Sequence, residues 1–214
     1  MLRSWLGPAM LHAFERAREQ RRAYALPRVA PLDPSPLDWT VLDVVLRREP
    51  APDVLVVARN RLLALAAPRS EQEVRALFAQ RSGLVVRHAQ DTHPRLAALA
   101  RAFEREFAAR AHIQLFVTPG QSHGFGWHYD LDDVIIVQTV GQKDYYFRDN
   151  TVGDIGARPP DFGAIERETS PLLSCRLLPG DVLYLPRGMW HVARACEDSM
   201  HISLGLEPPR PARA

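Results

Sequence analysis

Gly180-Asp-Val-Leu-Tyr-Leu-Pro186-Arg-Gly188-Met-Trp-His191 is the stretch of this 214-residue chain on which the fold reading turns. Glycine, five residues, proline, one residue, glycine, two residues and histidine follow one another in it. The apolar run Val182 to Leu185 predicts a short strand, and the glycines and proline around it supply the turns that swing His191 inward. A histidine delivered in this way needs partners. Upstream, Gly126-Trp127-His128-Tyr129-Asp130 offers two. Residues two apart on a strand share a face, so His128 and Asp130 can reach one ion, with His191 as the third ligand. Two imidazoles and one carboxylate on one side of a metal leave the opposite positions open, which is the arrangement of non-haem iron(II) oxygenases. The same donors also describe catalytic zinc sites, so spacing alone does not choose the metal.

Outward from these segments, residues 113–206 read as short strands cut by Gly, Pro and Asp: Ile113–Thr118, Val134–Val140, Lys143–Arg148, Val182–Leu185 and Met200–Leu206. Such a series predicts a small antiparallel barrel or sandwich. Residues 149–174 form a long insertion, expected to be functional as a lid or substrate loop. Residues 1–112 mix helix and strand signals. Ala9 to Arg22 reads as helix and the Pro-rich 25–35 as loop, while Val54–Val57 and Leu62–Leu65 around Arg59-Asn60-Arg61 form a hairpin. Ser70 with Glu73 is a capping-box pair that opens a helix to about Gln80. Gly83 to Arg87 is a strand, and Thr92 with Pro94 opens a helix burying Leu96, Leu99, Ala100, Phe103 and Phe107. The fold class is therefore mainly β with N-terminal α+β elements, one structural domain in which 1–112 packs on the 113–206 core, with 207–214 as a tail.

Composition bounds the partners. The 27 basic and 25 acidic residues nearly cancel, which argues against nucleic acid as the default partner. No run is long enough for a membrane span, and no export signal opens the chain, so a cytoplasmic location is expected, with Cys175 and Cys196 as free thiols. Of the 27 basic residues all but one are Arg, and the exception is Lys143.

The Gly180–His191 pattern matches the second signature of the cupin barrel. The stretch Ile113 to Phe147, IQLFVTPGQSHGFGWHYDLDDVIIVQTVGQKDYYF, resembles the JmjC-type, cupin-fold 2-oxoglutarate oxygenases, closest to the ribosomal-oxygenase and asparaginyl-hydroxylase branch. The order is shared: a strand ending in Thr-Pro, a Gly/Ser loop, His-x-Asp, an apolar strand with Gln, then Gly-x-Lys. The resemblance implies a double-stranded β-helix (cupin or jelly-roll barrel) flanked by helices. It implies Fe(II), 2-oxoglutarate as co-substrate and O2, with His128, Asp130 and His191 as iron ligands. It gives Lys143 the distal carboxylate of 2-oxoglutarate, and places Gln114 and Ser203 in the same pocket. The implied reaction is hydroxylation of a protein or peptide side chain, releasing succinate and carbon dioxide. A free amino-acid-like or natural-product small molecule is the alternative substrate, and a cupin metal-binding protein without oxygenase activity is the alternative of another class. The sequence ends eight residues after Leu206, without the C-terminal modules of ribosomal oxygenases, which sets an expectation against a ribosomal substrate.

Other residues receive simpler readings. Trp127 and Trp190 are expected to pack and orient the neighbouring imidazoles. His201 is expected to face away from Ser203 and to be structural. His123 is a candidate for the cavity mouth, and Asp132 and Asp133 are read as solvated rim charges, with reception of a cationic substrate as the second option.

Overall fold

A computed structural model describes residues 2–30, 35–153 and 162–207. The helices are α1 (Leu2–Trp5), α2 (Pro8–Glu19), α3 (Trp39–Leu46), α4 (Glu71–Ala79) and α5 (Pro94–Phe107). The strands are β1 (Tyr24–Leu26), β2 (Asp53–Ala58), β3 (Arg61–Leu63), β4 (Gly83–Arg87), β5 (Arg110–Thr118), β6 (Asp133–Val140), β7 (Lys143–Thr151), β8 (Leu172–Leu177), β9 (Val182–Leu185), β10 (Met189–Ala195) and β11 (Ser199–Glu207). They form an eight-stranded sheet, β1-β9-β6-β11-β5-β4-β2-β3, and a three-stranded sheet, β10-β7-β8. The registered pairs are antiparallel throughout. This is the expected double-stranded β-helix. Strands from the first 112 residues extend the larger sheet rather than standing apart from it.

Alternation decides what each face of the larger sheet does. Ile113, Leu115 and Val117 of β5, Ile135 and Val137 of β6, and Met200, Ile202, Leu204 and Leu206 of β11 are buried in one cluster with Phe14, Leu96, Leu99 and Phe103 of the helices. Each such side chain contributes about 1.5–3 kcal/mol on burial, so this layer of helices on the sheet is the main hydrophobic core. The opposite face looks across to the smaller sheet. There Val134 and Ile136 meet Tyr145, Phe147, Leu183 and Leu185 in a second cluster that closes one side of the barrel.

Local signals explain the helix starts. The Ser70 hydroxyl accepts from the Glu73 backbone N–H, as the capping-box pair predicts, but the Glu73 carboxylate reaches the Arg69 N–H instead of the Ser70 N–H. α5 begins at Pro94 with His93, not Thr92, as its cap, and the Thr92 hydroxyl donates to the Ala89 carbonyl. α3 was not expected from the sequence. Its Val41, Leu42, Val45 and Leu46 are buried, and Asp38 caps it by accepting from the Val41 N–H. The 149–174 insertion is shorter than its composition suggests, because β7 runs to Thr151 and β8 begins at Leu172. The lid reading of that segment rests in part on 154–161, which lie outside the described residues. Among the described residues, no helix is long and apolar enough to cross a membrane.

Candidate metal centre and its cavity

His128 and His191 are held together by backbone. The His128 N–H donates to the His191 carbonyl at 3.1 Å and the His191 N–H donates back at 2.8 Å, a closed antiparallel pair. The Asp130 carbonyl then accepts from the Gly188 N–H at 2.9 Å. Gly188 has φ +78° and sits in a turn closed by the Met189 N–H on the Pro186 carbonyl, a conformation that favours glycine. That turn brings β10 back across the strand end and aligns His191 with His128.

The two imidazoles are set the same way. His128 Nδ1 lies 2.8 Å from the Gly126 carbonyl and His191 Nδ1 lies 2.9 Å from the Met189 carbonyl. A carbonyl can only accept, so each Nδ1 carries the hydrogen and each Nε2 keeps its lone pair free. His191 Nε2 stands 3.6 Å from an Asp130 carboxylate oxygen, and one candidate ligand atom from each of the three residues falls within 4.8 Å of the others. Burial, reinforced by His128 and opposed by Asp130, pushes the His191 imidazole down to about 4, so it is neutral near pH 7 and available to a cation. The donor set fits a divalent transition metal.

Trp190 is buried, with Tyr129 edge-on to it at 4.9 Å, so it packs as expected. Trp127 faces the Arg148 guanidinium at 5.9 Å.

A cavity of about 290 Å³ opens beside the three residues and is walled by both sheets. Its floor holds Lys143, only 3% exposed. The ammonium donates to the Thr118 hydroxyl at 2.9 Å and to His201 Nδ1 at 3.0 Å. Among the described residues no carboxylate is bonded to it, and burial holds it down at about 7. Because His201 Nδ1 accepts, its Nε2 bears the hydrogen and faces the Tyr145 hydroxyl 3.5 Å away, while Phe116 stacks on the ring at 4.8 Å. Burial pushes the Tyr145 phenol up and the His201 imidazole well down. The strand turn before Lys143 is tied by the buried Gln138 amide, which donates to the Val140 and Gly141 carbonyls.

The structure brings Gln114 and Ser203 opposite each other on β5 and β11, both lining this cavity. It corrects the expectation for His201. Residues 201 and 203 are two apart on β11 and share the inner face, while Met200, Ile202 and Leu204 turn to the helices. The same parity would have found Thr118, in phase with Gln114 on β5, and Tyr145, in phase with Lys143 on β7. His123 does not line the cavity; it borders a shallow surface depression with Arg59, Arg81, Gln121 and Ser122. Asp133 is not a rim charge, for it accepts from the Tyr184 hydroxyl and the Arg187 N–H. Asp132 does line the cavity, and burial raises its carboxyl. Cys175 and Cys196 are free thiols.

Comparison with known proteins places this geometry. Residues 85–213 match the JmjC domain family. Ribosomal oxygenase 1 of Rattus norvegicus is 35% identical over 101 residues, covering 46% of this chain and 17% of that protein. The bifunctional lysine-specific demethylase and histidyl-hydroxylase NO66 of Culex quinquefasciatus is 32% identical over 95 residues, covering 42% of this chain and 15% of that protein. The ribosomal oxygenase YcfD of Escherichia coli, solved with cobalt and 2-oxoglutarate, superposes with a TM-score of 0.65 at 21% identity over 92% of this chain and 52% of its own. The curated relatives are thus matched over less than a fifth of their length, and the solved one over about half.

Proposed function

The chain belongs to the JmjC domain family, and from that premise we propose that it is an iron(II)- and 2-oxoglutarate-dependent oxygenase that hydroxylates a protein or peptide side chain. One observation carries the reading: the His128, Asp130 and His191 cluster opens on the same cavity as a buried ammonium that no carboxylate among the described residues neutralises. Iron(II) with 2-oxoglutarate and dioxygen supplies the oxidising chemistry, with succinate and carbon dioxide as co-products.

The chain's own residues do the rest. His128 and His191 would offer Nε2 lone pairs, and Asp130 a carboxylate, to the iron. Lys143 and Thr118 hold the distal carboxylate of 2-oxoglutarate, a point charge and a hydroxyl at the buried end of the cavity. Gln114 and Ser203 flank the co-substrate from neighbouring strands, and Val134 and Ile136 keep water from its methylenes. A cupin that only bound metal would have no use for a desolvated lysine there, since an unpaired buried charge is costly to keep.

Two features favour a protein or peptide over a free small molecule. The metal cavity shares His112 and Gln114 with a second, larger groove of about 500 Å³ running along α5, which gives flanking chain a place to lie. The relatives are named for ribosomal and histidyl substrates. Incubation with iron(II), 2-oxoglutarate, ascorbate and a synthetic peptide array is expected to add one oxygen atom to a subset of peptides in step with succinate release. Succinate coupled to free amino acids and to no peptide would transfer the reading to the small-molecule alternative.

A further inference from the structure

The two imidazoles of the cluster are oriented alike but supported differently. His191 Nδ1 leans on the Met189 carbonyl, and Met189 belongs to β10, where it pairs with Thr151 of β7. His128 Nδ1 leans on the Gly126 carbonyl, which lies in the loop between β5 and β6. A carbonyl in a loop can turn away. The His128 hydrogen could then shift to Nε2 and close the lone pair that a cation needs.

The tip of the β2–β3 hairpin prevents this from outside. Arg59 and Asn60 form a two-residue turn between the paired Ala58 and Arg61, with φ +49° and +64°. Both values are left-handed, as the tight hairpin turn requires, and asparagine is among the residues that accept them. The Asn60 N–H donates to the Gly124 carbonyl at 3.3 Å. Its side chain lies directly against Gly126, where an added Cβ would overlap Asn60 Nδ2 and stand 2.8 Å from Cγ and Oδ1. Phe125, between these two contacts, is edge-on to both Phe116 and His128. The hairpin is itself anchored, since β2 pairs with β4 and β4 with β5. Asn60 is otherwise exposed, so its packing matters locally and adds little to the core.

We infer that Asn60 is a positioning residue of the metal centre: packed on Gly126, it holds the carbonyl that keeps the His128 hydrogen on Nδ1 and the Nε2 lone pair toward the cavity. The inference rests on the reading of His128, Asp130 and His191 as a metal site and names what keeps that site in order.

Asn60→Gly is the clean variant, because glycine keeps the left-handed turn and removes only the side chain. Imidazole nitrogen NMR of the metal-free protein, under mildly alkaline conditions, reads the tautomer of each histidine. Asn60→Gly should give mixed tautomers at His128 with His191 unchanged, and Asn60→Asp, which keeps the shape, should retain the single tautomer. Co(II) titration should show about tenfold weaker binding in Asn60→Gly, the scale of losing a group that orients a ligand. Gly126→Ala should cause a similar loss by driving its methyl into Asn60, and the double variant should bind no worse than Gly126→Ala alone. A single His128 tautomer in Asn60→Gly, mixing that appears equally at His191, loss of the single tautomer in Asn60→Asp, or two affinity losses that simply multiply would each overturn the inference. If Gly126→Ala does not fold, the two Asn60 variants decide. Failure of the unsubstituted protein to bind Co(II) would sink the metal-site reading itself, a result distinct from an Asn60→Gly protein that binds Co(II) undiminished.

Discussion

Lys143 is the residue on which the co-substrate assignment stands. Lys143→Met keeps the length of the side chain and removes the ammonium. It should weaken 2-oxoglutarate binding by the about 2–5 kcal/mol lost with a buried charge partner, leave metal content unchanged, and not lower the melting temperature of the metal-free protein. Calorimetry and thermal melts read the two effects separately. The pH dependence follows from the same burial. Lys143 loses its proton at about 7 in the fold, well below the ordinary lysine value of about 10.4. Co-substrate affinity should therefore fall as pH rises through about 7, with binding itself favouring proton uptake. Stability of the metal-free protein should move the other way. Between about 7 and 10 the unfolded chain binds a proton that the folded one does not, so this residue's contribution makes the fold more stable as pH rises. Affinity rising with pH in that window would remove Lys143 from the carboxylate site.

At the scale of elements, helix α5 is the strut that fixes the outer face of the sheet whose inner face carries the site. Phe103 is fully buried, edge-on to Trp5 and stacked on Phe107. Phe103→Ala should cost about 3–5 kcal/mol in denaturant unfolding without touching His128, Asp130 or His191 directly. The turn before β10 is a different case. Gly188→Ala forces φ +78° on a residue with a Cβ and should lower metal affinity more than stability, measured by metal titration against thermal melting. The elements differ in how readable they were. β4 and β9 were legible because apolar runs bounded by Gly, Pro and Arg have one interpretation. α3 was not, since Trp39 to Leu46 is apolar on nearly all sides and carries no clean period. β8 was hidden because Leu172 and Leu173 are largely exposed edge-strand residues in a segment rich in turn formers. The grouping of His128, Asp130 and His191 was legible from spacing and turn chemistry. Thr118, Tyr145 and His201 needed the period-2 rule applied across β5, β7 and β11 together, and for His201 a one-step error in that rule reversed the answer.

The whole molecule joins two sheets around one cavity, with helices on the far side of the larger sheet and the candidate metal-binding cluster at the crossing of the loop before β6 with β10. Charge balance, glycine turns and the lone lysine take on meaning only in that arrangement, where a positive floor and a ligand cluster face the same space. The most direct test of the account loads the protein anaerobically with iron(II) and titrates 2-oxoglutarate while recording the visible spectrum. The account predicts a weak metal-to-ligand absorption band that saturates with added 2-oxoglutarate and is lost in Asp130→Ala. Bound iron(II) with no such band at saturating 2-oxoglutarate would contradict it.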